Sequence, residues 1–311
     1  MKLAFVYAGQ GSQHAGMGKD LYEQYPAFRA VLDEAPVEFD LKGLCFEGPE
    51  EKLSQTRYTQ PCMVAFAVGV TKLLRESGIE PEMVAGLSLG EYSALYAAGV
   101  FSEKDVISLA AFRGKAMEEA VGGRACGMVA VMGMEREPLR AVCLEAAQGE
   151  VVEITNLNCP GQIVISGDAA AVERASVLAQ ARGARRCVPL KVSGPFHTSL
   201  MKPAGDALAA RFGSVEFGAL TIPVVFNATG RPMAAGETIP ALLERQVQSS
   251  VHFEDSVRYM EAAGIDTVLE IGPGKVLSGF VRKTSKAMRT FAVEDVASLE
   301  AAVQELKGET K

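Results

Sequence analysis

Apolar positions along this chain fall into short unbroken runs separated by stretches of helical spacing. Leu3 to Ala8 is the first such run, and it stops at Gly9. A short run with no polar alternation predicts a strand buried on both faces. The loop Gly9-Gln10-Gly11-Ser12-Gln13 follows, and residues from about Asp20 to Leu32 have helical spacing. Pro61 to Leu74 reads as a strongly apolar helix with proline near its start. Met83 to Gly86 is a second short strand, leading through Ser88 into a helix, Glu91 to Ala98, that Gly99 closes. A further helix is expected from about Glu103 to Ala120, broken by Gly122-Gly123.

The next stretch has its own order. Strands are expected at Met128–Met132, Val151–Asn156, Gln162–Ser166 and Arg185–Val192, with helices at Arg136–Ala147 and Ala169–Arg182. That β-α-β-β-α-β order is the ferredoxin-like unit. Residues 125–193 therefore read as a subdomain inserted into a core made of residues 1–124 and 194–311. The alternation then resumes with a strand at Pro223–Asn227, helices near Ile239–Gln246 and Phe253–Ala263, and a strand at Thr267–Ile271. The core is thus expected to be an α/β structure with a mainly parallel sheet covered on both faces. Such sheets carry their chemistry at the carboxyl ends of the strands. Four segments of small or polar residues are candidates: Gly9–Gln13, Leu87–Gly90, Ser193–His197 and Gly272–Lys275.

Bulk properties narrow the function. The 311 residues are 48% hydrophobic and 22% charged, ordinary for a globular protein, and contain no repeat or low-complexity tract. A net charge of −7 argues against broad nucleic-acid binding. Cys45, Cys62, Cys126, Cys143, Cys159 and Cys187 form no C-x-x-C pair, and the nearest two are 16 residues apart. That spacing opposes a zinc site, and reduced, mostly buried thiols are expected. The first apolar run is too short for a signal peptide and no stretch approaches a membrane span. A cytoplasmic protein with no membrane partner is expected.

Gly86-Leu87-Ser88-Leu89-Gly90 fits G-x-S-x-G. The pattern alone is common, but here an apolar strand precedes it and an uninterrupted helix follows. That is the setting of a nucleophile elbow, in which a tight turn lifts the serine hydroxyl above the sheet. The helix N-terminus favours negative charge developing beside it. A serine nucleophile needs a base. Only His14, His197 and His252 are available. His197 is the first choice because it follows a predicted strand end, and His14 is the second. His252, between Val251 and Phe253, reads as packed or surface. The oxyanion formed on attack needs two aimed N–H donors. Leu89, just after the serine, supplies one, and the flexible backbone at Gln10 is placed to supply the other. Read by itself, the Gln10 loop also fits a plain tight turn; it lacks the lysine and spacing of a P-loop. Arg113, beside Leu109, Ala110, Ala111 and Phe112, reads on its own as either a surface residue, the commoner case for arginine, or a partner for an anion.

Taken together, Gly9–Gln13, Gly86-Leu87-Ser88-Leu89-Gly90-Glu91-Tyr92-Ser93-Ala94, Arg113-Gly114-Lys115, Asn156 to Gly167, Gly194-Pro195-Phe196-His197 and Glu270-Ile271-Gly272-Pro273-Gly274-Lys275 resemble the malonyl-CoA:acyl-carrier-protein transacylase family. The motifs fall in family order over nearly the whole chain. The resemblance implies an α/β-hydrolase-like core with a ferredoxin-like insert, in agreement with the pattern above. It implies Ser88 as nucleophile, His197 as base, and Gln10 and Leu89 as oxyanion donors. It makes Arg113 the partner of the malonyl carboxylate, which a guanidinium fork can hold bidentately. The Gln246 position implies a backbone carbonyl that orients the histidine in place of a triad carboxylate. Phe196 resembles the aromatic that crowds a 2-methyl branch and so favours malonyl over methylmalonyl. Leu87 stands where many relatives carry histidine, which excludes a secondary role for a histidine there without threatening the dyad, and Ala8 stands where proline is common, which should matter little.

The implied reaction is a ping-pong transfer of malonyl from malonyl-CoA, through a malonyl-serine, to the phosphopantetheine thiol of acyl carrier protein. It implies no metal and no redox cofactor, and CoA and carrier protein as partners; a monomer is expected. Carrier proteins of this type are acidic, so an acidic enzyme needs a local basic face. Arg185, Arg186, Lys191, Arg282, Lys283 and Lys286 are candidates for it. Three other readings use the same residues: a polyketide-type acyltransferase, an acyl-thioester hydrolase, and a non-catalytic carrier-binding module.

Overall fold

The computed structural model describes residues 1–190 and 194–308. Its strands are β1 (Leu3–Tyr7), β2 (Met83–Gly86), β3 (Cys126–Met132), β4 (Val152–Cys159), β5 (Gln162–Asp168), β6 (Arg186–Pro189), β7 (Val224–Val225), β8 (Thr267–Ile271) and β9 (Arg289–Val293). Five of them form a parallel sheet in the order β7-β2-β1-β8-β9. β1 lies at its centre with no residue more than 4% exposed, which is why its sequence is apolar without alternation. The other four form an antiparallel sheet in the order β4-β5-β3-β6. The helices Arg136–Ala147 and Ala169–Ala181 cover it, with Leu139, Val131 and Ile165 in a separate apolar core. The architecture is an α/β-hydrolase-like core with a mainly parallel sheet plus a ferredoxin-like βαββαβ unit.

The two sheets are tied together beside the helix Ile239–Val247. Val251 N donates to Thr155 O at 2.8 Å, and Leu157 N donates to Val251 O at 2.9 Å, so β4 gains a parallel bridge from the core. Arg136 adds a two-pronged ion pair to Asp255 at 2.9 and 2.6 Å. Asn156 and Asn158 on β4 are thereby held over the carboxyl ends of β1 and β2, where they line the same cavity as Ser88.

Several expected elements differ. The helix expected at Asp20–Leu32 is two, Lys19–Gln24 and Pro26–Asp33, because Pro26 forces Tyr25 into an extended conformation. The apolar helix starts at Thr56 rather than Pro61 and runs to Glu76. An interior proline costs about 3 kcal/mol. Large apolar side chains return about 1.5–3 kcal/mol each on burial, and this helix buries several, including Met63, Val64, Phe66 and Leu74. The edge strand expected over Pro223–Asn227 is only Val224–Val225. The last strand of this unit is Arg186–Pro189, and Leu190 N still donates to Met128 O on β3 at 2.9 Å. Val192 and Lys191 lie outside the described residues. Strand β9 and the helices Leu41–Glu47, Glu50–Leu53, Lys202–Phe212, Val276–Thr284 and Val296–Gly308 were not legible in the pattern.

Candidate active site

Ser88 lies in the turn between β2 and the helix Gly90–Ala97. Gly86 and Gly90 pack so closely that a Cβ on Gly86 would collide with the Gly90 backbone, and one on Gly90 with the Tyr7 carbonyl. Side chains are excluded at both positions, and the turn can be this tight only with glycine there. Ser88 itself has φ 52°. His197 has φ 62°. A non-glycine residue in the left-handed region costs about 1–3 kcal/mol and persists only where its surroundings hold it.

These two strained residues meet. Ser88 Oγ lies 2.6 Å from His197 Nε2. His197 Nδ1 lies 2.8 Å from the Gln246 carbonyl oxygen. A carbonyl only accepts, so the ring proton sits on Nδ1 and Nε2 is left to accept the serine proton. Burial, and then the charge of Arg113, hold the His197 pKa down at about 4. The imidazole is therefore neutral at physiological pH. His14 is exposed with Nδ1 3.0 Å from the Ala15 carbonyl, and His252 pairs with Asp255 at 2.9 Å. Neither reaches Ser88.

Arg113 is not at the surface, as its own sequence context suggested; it is fully buried. Gly114 accounts for this, since a Cβ there would sit 2.6 Å from the Thr56 carbonyl oxygen. The helices Thr56–Glu76 and Glu103–Val121 therefore pack backbone to backbone, and Arg113 is carried inside. Its Nη1 donates to Gln60 Oε1 at 2.9 Å, and its Nη2 donates to Gln246 Oε1 at 3.0 Å and to Ser88 Oγ at 3.1 Å. Its guanidinium carbon lies 5.3 Å from the Tyr92 ring centre. Among the described residues it forms no ion pair and its Nε has no partner. A buried cation costs several kcal/mol unless an anion accompanies it. Burial pushes the carboxyl of the nearby Glu91 up to about 8, away from the charged form that would accompany Arg113.

Among the described residues the backbone N–H groups of Gln10 and Leu89 donate no hydrogen bond. Gln10 lines the cavity and its side chain donates to Thr56 Oγ1 at 3.1 Å. Leu89, buried, caps the helix that follows Ser88. Phe196 is 6% exposed and also lines the cavity. The cavity, about 410 Å³, is further lined by Met117, Met128, Asn156, Asn158 and Leu190. Three of the four candidate segments border it. The turn Gly272–Lys275 does not: it faces β9, where Gly274 N donates to Glu294 Oε2 at 2.8 Å. Glu270, Val276 and Leu277 on either side of that turn line the cavity instead.

Three buried groups here were not singled out from the sequence. Gln60 fell just outside the expected helix. Asn227 ended an expected strand, the position that should have marked it. Glu91 was quoted within the serine motif but given no task. The Gln246 side chain was also unassigned, yet its Nε2 donates to Ser88 O at 2.8 Å while its Oε1 accepts from Arg113. Of the expected basic face, Arg185, Arg186, Arg282, Lys283 and Lys286 are exposed, and Lys283 Nζ donates to Gln162 at the cavity rim at 3.2 Å. Lys191 lies outside the described residues. All six cysteines are free thiols, but Cys126 and Cys187 are only half-buried.

The acyl transferase domain family matches residues 4–308. The malonyl CoA-acyl carrier protein transacylase of Bacillus subtilis is 46% identical, over 99% of this chain and 98% of that protein. A crystal structure of MCAT from Streptococcus pneumoniae is 47% identical with a TM-score of 0.93, covering 98% of this chain and 100% of that one. A malonyl-transacylase in complex with its type II PKS acyl-carrier protein is 40% identical with a TM-score of 0.95, over 98% of this chain and 100% of that one. By its serine turn, its full-length match and its likeness to these relatives, the chain belongs to the acyl transferase domain family and, within it, to the malonyl CoA-acyl carrier protein transacylases.

Proposed function

We propose that this chain transfers the malonyl group of malonyl-CoA to the phosphopantetheine thiol of an acyl carrier protein, as an acyltransferase of fatty acid biosynthesis. The observation that carries the reading is the unpaired, buried Arg113 guanidinium 3.1 Å from Ser88 Oγ. A substrate with a free carboxylate close to its reacting carbonyl fits that spacing, and malonyl is such a group. In this reading the insert, residues 125–193, sits over the core, residues 1–124 and 194–311, and their shared cavity holds the malonyl group and the pantetheine arm that carries it.

His197 Nε2 takes the proton of Ser88 Oγ, which attacks the thioester carbonyl. The Gln10 and Leu89 amides receive the oxyanion; losing one such donor typically costs roughly 10²–10³ in rate. The C–S bond breaks, and His197 returns the proton to the leaving CoA sulfur. The carrier thiol then enters, gives its proton to His197, and attacks the malonyl ester. Ser88 leaves and recovers its proton. The Gln246 carbonyl steadies the imidazolium in both halves. Every proton is accounted for by His197, so the chemistry calls for no metal or redox group. Phe196 narrows the space beside the malonyl methylene, a discrimination of about 1–3 kcal/mol against one added methyl.

No helix among the described residues is long and apolar enough to cross a membrane. In this reading the enzyme acts in the cytoplasm, as a monomer, on soluble thioesters. One relative in complex with a type II PKS acyl-carrier protein supports a second reading, in which the carrier belongs to polyketide synthesis. Incubation with malonyl-CoA and each carrier in turn tests both. Malonyl-carrier formation with the fatty-acid carrier is expected; transfer only to the polyketide carrier favours the second reading, and release of free malonate would make the chain a hydrolase.

A further inference from the structure

The transfer mechanism leaves one heavily tied group without a task. Asn227 stands two residues beyond β7 and is fully buried. Its side chain joins the two sides of the serine turn. Nδ2 donates to the Gly86 carbonyl oxygen at 2.6 Å, and Oδ1 accepts from the Ser88 N–H at 2.6 Å. Its own backbone is held from both directions. Its N–H donates to Glu91 Oε2 at 2.5 Å, and its carbonyl accepts from His252 N at 2.9 Å. Glu91 lies on the helix that follows Ser88, so both sides of the turn close on the same asparagine.

These contacts bear on the strained residue. At φ 52° Ser88 is outside the conformations a serine prefers, and no main-chain ladder bond holds its N–H. Asn227 takes that N–H, and the next amide, on Leu89, has no partner among the described residues. A single planar amide presents a donor and an acceptor side by side, which neither a hydroxyl nor an ionised carboxylate can do.

We propose that Asn227 is the positioning residue of the nucleophile: by bridging Gly86 O and Ser88 N it holds Ser88 with Oγ on His197 Nε2 and leaves the Leu89 N–H free for the oxyanion. It touches neither substrate nor reacting atoms. The inference rests on Ser88 being the acylated residue.

The test uses the full-length enzyme with Asn227→Asp and Asn227→Ala, and reads the rate of Ser88 acylation by malonyl-CoA with quenched-flow mass spectrometry. A neutral Asp carboxyl can donate to Gly86 O and accept from Ser88 N; an ionised one sets an acceptor against the Gly86 carbonyl. The charged and titratable groups around the position are Glu91, Arg113 across the turn, His197 and His252, and the wild type carries all of them. The Asn227→Asp to wild-type rate ratio should therefore stay near one at about pH 5.5 and fall at least about tenfold by about pH 9. Asn227→Ala should acylate about tenfold to a hundredfold more slowly, with its KM for malonyl-CoA within about twofold of wild type. A thermal melt establishes that each variant is folded; if Asn227→Ala is not, the Asp ratio decides. A ratio that does not change with pH, or a folded Asn227→Ala with the wild-type acylation rate, overturns the proposal. Absence of any adduct on the wild type would instead defeat the malonyl-transfer reading.

Discussion

Arg113 Nη2 donates to Ser88 Oγ at 3.1 Å, so a buried guanidinium behind the cavity wall and the nucleophile that lines the cavity are already in contact before substrate arrives. A carboxylate entering this space meets a cation whose other partners, Gln60 and Gln246, are neutral. A charge-assisted bond contributes about 1.5–3 kcal/mol. Arg113→Ala should therefore lower the preference for malonyl-CoA over acetyl-CoA by about tenfold to a hundredfold in kcat/KM. The ratio is the informative quantity, since loss of the contact to Ser88 affects both substrates. An unchanged ratio would remove Arg113 from recognition.

His197 sets the acid limit of the reaction. Its pKa is held at about 4, against 6.5 for an ordinary histidine, by burial and then by Arg113. Acylation should fall as pH drops through about 4 rather than 6.5, because a protonated ring cannot accept the serine proton. Arg113→Gln removes one cause, so its acid limb should move upward. The same shift affects stability. The contribution of the neutral ring is fully present above pH 6.5 and is lost as pH falls toward 4, by up to roughly 3 kcal/mol. Denaturant titrations of wild type and His197→Asn should diverge by that order across the window; parallel curves contradict the burial argument.

Glu91 titrates in the opposite sense. Its folded pKa of about 8 lies above the unfolded 4.5, chiefly through burial. What the neutral carboxyl contributes is intact below pH 4.5 and lost as pH rises through 8. Glu91→Gln lacks this titration and should gain stability over wild type on the order of 4 kcal/mol between about pH 5 and pH 8. An equal response of the two proteins would mean that Glu91 is ionised and neutralises Arg113.

The exposed cations of the helix Val276–Thr284, whose Val276, Leu277 and Phe280 line the cavity, give a prediction for the carrier protein. Reversing Arg282 and Lys283 to glutamate should raise KM for the carrier by about tenfold and leave acylation by malonyl-CoA unchanged, since electrostatic steering acts on encounter. Equal weakening with both substrates would assign these residues to something other than carrier docking.

What the sequence made legible was whatever local chemistry decides. The β1 run, the G-x-S-x-G turn and the βαββαβ order each follow from a few neighbouring residues, and each is present. The features that stayed hidden depend on distant chain. Arg113 reads as a surface residue until Gly114 draws its helix against Thr56. Asn227 lies 139 residues from the Ser88 amide it holds; its place at a strand end marks a candidate position, but the pairing itself is set by distant chain. The Gln246 carbonyl came only from family resemblance, and its side chain from neither source. The Tyr25–Pro26 break was readable from proline's effect on the preceding residue, but helical spacing across it concealed the stop.

The account stands on acyl transfer through Ser88. Intact mass spectrometry after brief exposure to malonyl-CoA, without carrier protein, tests this most directly. The wild type should gain the mass of one malonyl group, mapped by peptide analysis to Ser88 and discharged on adding carrier protein, while Ser88→Ala gains none and His197→Ala gains it far more slowly. An adduct that persists in Ser88→Ala, or a wild type that turns over malonyl-CoA without ever carrying one, would contradict it.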